Sequence, residues 1–200
     1  MEYMRSFIAI ELPEEIRRGL NQLQQSLKSD NQPWVKWTDP QGIHLTLKFL
    51  GNITAVNISP LTKSMEMAAQ GIPPLHLKVK GLGVFPNLKQ VQVVWVGINE
   101  EAERLTQLQQ RLDSNIVRLG FTPESRRFTP HLTLARLRNH LPLADRQEFG
   151  QLIANTRFKT VYVLNVDAFS LMRSQLTRQG TIYSQISQIR LKRNLSISTL

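Results

Sequence analysis

The four residues His44-Leu45-Thr46-Leu47 occur again as His131-Leu132-Thr133-Leu134, and this returning word limits the possible folds more than any other feature of the chain. Polar and apolar residues alternate in it with a period of two. Each copy therefore specifies a strand with its leucines on one face and its histidine and threonine on the other, spaced about 6.6 Å apart along the strand. The chain has four histidines in 200 residues, and two of them open the same word. Two lobes related by a pseudo-twofold would bury the leucines separately and turn the two polar faces towards each other. That would place two imidazoles and two hydroxyls around one small cavity, a site for a tetrahedral anion.

The rest of the chain repeats in the same loose manner. Arg5–Glu11 reads as a strand, and Pro13 opens a helix to about Lys28 with acids in its first turn. Val35–Trp37 and His44–Phe49 are extended around the turn signal Asp39-Pro40-Gln41-Gly42, and Ser59-Pro60 reads as the cap and first turn of a helix to about Gln70. Strands over Leu75–Gly83 and Val91–Ile98 flank the breaker Phe85-Pro86-Asn87. Glu100–Leu119 carries the helical stripe Leu105, Leu108, Leu112, Ile116, Leu119 and stops at Gly120. His131–Arg136 is a strand and Leu143–Ala154 a helix, and Phe158–Leu171 and Thr181–Arg190 read as long paired strands. The expected architecture is one α+β domain over residues 1–190 made of two similar lobes. Residues 191–200 form a tail without a clear period.

Composition narrows the chemistry. There is no cysteine, which excludes a disulfide framework, a zinc ribbon and a thiol nucleophile and fits a reducing compartment. The apolar run in MEYMRSFIAIELPEE is too short, and too soon followed by acids, for a signal peptide or a membrane span. A soluble, cytoplasmic monomer with no membrane partner is the expectation. The net charge of +10, from 25 basic and 15 acidic side chains, favours a polyanionic partner such as RNA, because each cation that meets a phosphate releases counterions. The basic residues crowd Arg126–Arg146 and Arg173–Arg193.

Two imidazoles facing one phosphorus can supply an acid and a base together near neutral pH. An in-line displacement needs both, one removing a proton from incoming water and one protonating the departing oxygen, while threonine hydroxyls donate to the non-bridging oxygens. Neither word has a neighbouring Asp, Glu or Cys to complete a coordination sphere, so no metal and no cofactor are expected. His76 and His140 lack the threonine partner and read as structural or exposed.

The two HxT words, with RSFIAIELPEE, WVKWTDPQGIHLTLKFLGN, VVWVGI and RRFTPHLTLARLR, resemble the 2H phosphoesterase superfamily. The nearest branch is the RNA 2′,3′-cyclic phosphodiesterases, formerly described as 2′-5′ RNA ligases. The resemblance runs from about Arg5 to Ser187. It implies a fold of antiparallel sheets facing each other across a central cleft, with helices packed outside. It also implies opening of RNA 2′,3′-cyclic phosphate ends to 2′-phosphates, as on tRNA fragments, with 2′-5′ joining in some members. By position His44 would be the proton donor to the leaving 3′ oxygen and His131 the proton acceptor from water, with Thr46 and Thr133 on the phosphate oxygens.

Further candidates are weaker. Lys48 shares the parity of His44 and Thr46 and is a candidate phosphate ligand. Arg126 and Phe128 match the family's Arg-x-Phe before the second word, as a phosphate partner and a base-stacking ring. Tyr183 matches a family tyrosine, whereas Ile182 stands where the family often has arginine. Arg136 fits the family's HxTLxR ending, yet ideal parity turns it away from His131 unless a bulge re-aims it. Two other classes stay open: a small-molecule cyclic phosphodiesterase and a non-catalytic RNA-binding module.

Overall fold

The computed structural model describes residues 2–29, 32–99, 101–178 and 180–192. Its elements are β1 (Met4–Glu11), α1 (Glu14–Leu27), β2 (Val35–Trp37), a 3-10 turn (Pro40–Gly42), β3 (His44–Ile53), α2 (Ala55–Ala69), β4 (Leu75–Phe85), β5 (Val93–Asn99), α3 (Ala102–Val117), β6 (His131–Leu137), α4 (Leu143–Asn155), β7 (Tyr162–Val166), β8 (Ala168–Thr177) and β9 (Gly180–Arg190). Most follow from local pattern. In α1 the stripe Ile16, Leu20, Leu23, Leu27 is buried, and Glu14 and Glu15 sit at the positive end of the helix.

Several boundaries differ from the sequence reading, and two of them shape the fold. Helix α2 begins before Ser59-Pro60, because Thr54 and Asn57 close on each other first: the Thr54 amide donates to the Asn57 side chain at 2.8 Å. The stretch Phe158–Leu171 is not one strand paired with the next. It breaks at Asp167, so that β7 joins β4 whereas β8 joins β1 and β9. Leu191, expected in the tail, is buried and its amide donates to the Asp167 carbonyl at 2.8 Å. The rest of the tail, from 193 on, lies outside the described residues.

The nine strands of the described residues make one antiparallel sheet in the order β7-β4-β5-β6-β3-β1-β8-β9, with β2 beside β6. Strands β7 and β8 stand at opposite ends of most of this path, yet Asp167 alone connects them. The sheet therefore has to curl, bringing its halves β7-β4-β5-β6 and β3-β1-β8-β9 face to face. These are the two lobes of the α+β architecture. The halves are continuous through a single residue pair, Leu45 with Leu132. Helix α4 packs on β4, and α2 and α3 pack together over β9 and β3. One hydrophobic core, from Ile8 and Leu45 to Leu132 and Phe169, runs through both halves. Among the described residues no helix is long and apolar enough to cross a membrane.

Candidate active site

The seam between β3 and β6 positions both words. Continuing the antiparallel register by one residue on either side of the Leu45–Leu132 pair sets His44 beside Thr133 and Thr46 beside His131. Both leucines face the core, so all four polar residues share the opposite face. In an ideal ladder the two histidines are then diagonal neighbours, about 7–8 Å apart. This is the spacing at which two imidazoles can flank one phosphoryl group.

Each imidazole is oriented in the same way. The His44 Nδ1 lies 2.8 Å from the Gly42 carbonyl, and the His131 Nδ1 lies 2.7 Å from the Thr129 carbonyl. A carbonyl only accepts, so both Nδ1 atoms carry hydrogen and both Nε2 atoms are left for substrate. The rings sit in aromatic surroundings. Phe7 stacks on His44 with centroids 4.5 Å apart, and Tyr183 meets it edge-on at 5.1 Å. Phe85 meets His131 edge-on at 5.0 Å. Burial lowers the pKa of both histidines below the ordinary value, against the opposing effect of their backbone hydrogen bonds, and the Arg136 charge lowers His131 further. Both shifts favour the neutral ring.

A bulge follows each threonine. In β3, Ile8 pairs with Lys48 and Ala9 with Thr46, leaving Leu47 out of the ladder; in β6, Val94 pairs with Ala135 and Trp95 with Thr133, leaving Leu134 out. The extra residue inverts the alternation beyond it. Lys48 is the first consequence, and it corrects its candidacy as a phosphate ligand. Its side chain, 3% exposed, points away from His44 to the helix side, where it bonds Asp113 at 2.5 Å and the Thr122 carbonyl at 2.7 Å. It anchors the connection from α3 towards the second word. Arg136 is the second consequence: the bulge returns it to the face of His131 and Thr133, exposed and close enough to act on the charge of both His131 and Tyr183.

The structure brings Tyr183 to His44. Gly42 makes this approach possible, since a Cβ there would lie 2.9 Å from the Tyr183 ring. Arg126 and Phe128 are not gathered around the imidazoles. They line a groove of about 710 Å³ between α3 and the segment before His131, and the Phe128 ring packs against the core. His76 bonds Asn165 on β7, and His140 is exposed. Among the described residues no group of three or more His, Asp or Glu side chains is placed to hold a metal ion.

Sequence reasoning missed three contributors. Phe49 occupies in the first word the place of Arg136 in the second, and the bulge leaves it 62% exposed on the cleft face, paired across to Phe7. Gln24 holds the second bulge: its Nε2 donates to the bulged Leu134 carbonyl at 2.9 Å and to the Thr38 carbonyl at 2.8 Å. A glutamine among the buried leucines of α1 was the available signal. Trp95, beside Thr133, has an indole nitrogen that is buried without a partner.

This geometry has counterparts. The model of the family described as LigT like Phosphoesterase matches the chain twice, over residues 10–95 and 96–183, so that each match holds one HLTL word. The chain belongs to the LigT-like phosphoesterase family. A curated relative from Methanothermobacter thermautotrophicus, an RNA 2′,3′-cyclic phosphodiesterase, is 34% identical over 188 residues, which is 94% of this chain and 99% of the relative. An enzyme of the same name from Thermotoga maritima is 32% identical over 180 residues, 90% of this chain and 91% of that one. Among solved structures, E. coli LigT complexed with 3′-AMP superposes with a TM-score of 0.76 at 27% identity, covering 96% of this chain and all of that one. The protein TT0787 of Thermus thermophilus also gives 0.76, at 25% identity and the same coverage. The two family matches divide between Trp95 and Val96, inside β5, so this LigT-like phosphoesterase carries one word from each repeat to a shared seam.

Proposed function

We propose that this LigT-like phosphoesterase hydrolyses RNA 2′,3′-cyclic phosphate ends to 2′-phosphomonoesters without a metal or cofactor. Water attacks phosphorus as the bond to O3′ breaks. His131 takes the water proton on Nε2, and His44, protonated when the anionic substrate is bound, gives its Nε2 proton to the departing O3′. Thr46 and Thr133 donate to the non-bridging oxygens, where negative charge grows, and Arg136 neutralises that charge from the same face. Each proton transfer contributes about 10²- to 10⁴-fold in rate. RNA is the fitting substrate class because the family's relatives are named for it and the chain carries a net charge of +10. Arg126, exposed in the groove beside α3, extends the cationic surface available to the chain of that substrate.

The observation that carries this reading is the matched pair of Nδ1 tethers, which leaves both Nε2 atoms of one seam free. A packing role would need no such match. Incubating a defined oligonucleotide ending in a 2′,3′-cyclic phosphate with the protein in EDTA tests it. The expected product ends in a 2′-phosphate. Binding without product would leave only an RNA-binding module, and turnover of cyclic mononucleotides to the exclusion of oligonucleotides would assign a small-molecule enzyme.

A further inference from the structure

Beyond His44 along the cleft, two arginines converge from opposite lobes. Arg5 is exposed on β1, in the row Arg5–Ser174–Tyr183 that crosses from β1 through β8 to β9. It has the parity of Phe7 and Ala9, the residues that form the small apolar cluster with Met172 against Tyr183. Arg136 comes from β6 and is also exposed. Its ladder neighbours are Lys36 on β2 and Val93 on β5, and the bulge after Thr133 keeps it on the cleft face, while Tyr183 rests on Gly42 at the head of β3. Both charges act on the Tyr183 hydroxyl. Neither guanidinium has a carboxylate partner among the described residues, although Arg173 nearby on β8 is paired with Glu2 at 2.8 Å. Burial pushes the Tyr183 phenol up, so it stays protonated and can donate.

Two unpaired guanidiniums and a phenolic donor around one opening form an anion site. This opening adjoins the seam between the imidazoles, with Tyr183 beside His44 and Arg136 beside His131, and Arg5 extends it away from both. It lies on the side of His44, where the proposed mechanism puts the departing O3′ and with it the ribose, which stays attached through O2′. What a ribose carries there, other than its base, is its 5′ substituent.

We infer that Arg5, Tyr183 and Arg136 form a second phosphate subsite that takes the 5′-phosphate or phosphodiester of the terminal nucleotide. The inference rests on the proposed function for the orientation of the nucleotide and deepens it. The enzyme reads one phosphate beyond the reacting one, and so distinguishes a chain end from a free cyclic nucleoside phosphate. Arg5 is the residue specific to this subsite, since Arg136 also faces His131.

Calorimetric binding of two product-like ligands tests it without turnover. The probes are adenosine 2′-phosphate and adenosine 2′,5′-bisphosphate at low salt. The wild-type protein should bind the bisphosphate about tenfold more tightly, the scale of one charge-assisted contact. Raising the salt should shrink the ratio. Arg5→Gln should bring the ratio close to one while the Kd for the 2′-phosphate changes less than about threefold, and Arg5→Lys should retain part of the preference. Equal affinities in the wild type, or an Arg5→Gln loss that is the same for both ligands, would overturn the subsite. Absence of product from a cyclic-phosphate oligonucleotide would instead overturn the proposed hydrolysis, so the two failures are distinguishable.

Discussion

The two HLTL lobes are built alike where the imidazoles are held and differ where the substrate must be told one end from the other. Both have a bulge after threonine, and both tether Nδ1 to the carbonyl two residues earlier. Aligned on their bulges, Lys48 corresponds to Ala135, Phe49 to Arg136, Ala9 to Trp95 and Glu11 to Gly97. His44 is closed in by Phe7 and Tyr183, whereas His131 has Arg136 beside it. A cation beside an imidazole disfavours its charged form. Burial, the larger effect, disfavours the charged form of both rings, and Arg136 adds to it at His131 alone. Duplication supplies two equivalent imidazoles, and substitutions at matched positions give them different neighbours; under the proposed mechanism this makes the pair directional.

The largest test removes either partner. His44→Ala and His131→Ala should each lower kcat by about 10²- to 10⁴-fold while ligand Kd changes little, and the double variant should be no worse than additive. Two equal variants with only a fewfold loss would remove the mirrored pair from the chemistry.

The next test concerns what the bulge does with Lys48. Lys48→Met leaves the Asp113 carboxylate, itself largely covered, without its cation, and should lower stability by roughly 2–4 kcal/mol. Ala135→Lys, at the matched position, would not restore it. Denaturant unfolding measures the loss, and a variant as stable as the wild type would return Lys48 to the surface.

Arg136→Gln sharpens the asymmetry. It removes a cation from beside His131, so the pKa of that ring rises. The acid limb of kcat/KM, on which the base becomes protonated, should move to higher pH, with a loss of about tenfold in rate at the optimum. An unmoved limb would separate Arg136 from His131. Smallest of all, Gln24→Leu frees the bulged Leu134 carbonyl of one of its two donors, the other being the Thr38 amide, and should cost about 1 kcal/mol by thermal unfolding.

The sequence made much of this legible because period-two alternation fixes faces. From His44, Leu45 and Thr46, and from their repeats, the seam and its chemistry follow directly. What lies beyond the threonines does not. One extra residue in a strand leaves no compositional trace, so ideal parity puts Lys48 in the cleft and Arg136 away from it, the reverse of what the inverted alternation gives. The break at Asp167 is hidden for a similar reason: β7 and β8 are both apolar strands, and only their different partners show that the chain changes lobes between them. Arg5 reads as the polar start of a strand until the row to Tyr183 gives it neighbours.

The pH dependence of kcat/KM on a cyclic-phosphate oligonucleotide bears most directly on two imidazoles sharing a proton's work at one phosphorus. Since burial lowers both rings below the ordinary value, the profile should be a bell with its maximum on the acid side of about 6.5, its two apparent pKa values belonging to the pair. A profile flat across roughly pH 5 to 8, or one that rises with a single limb, would contradict it.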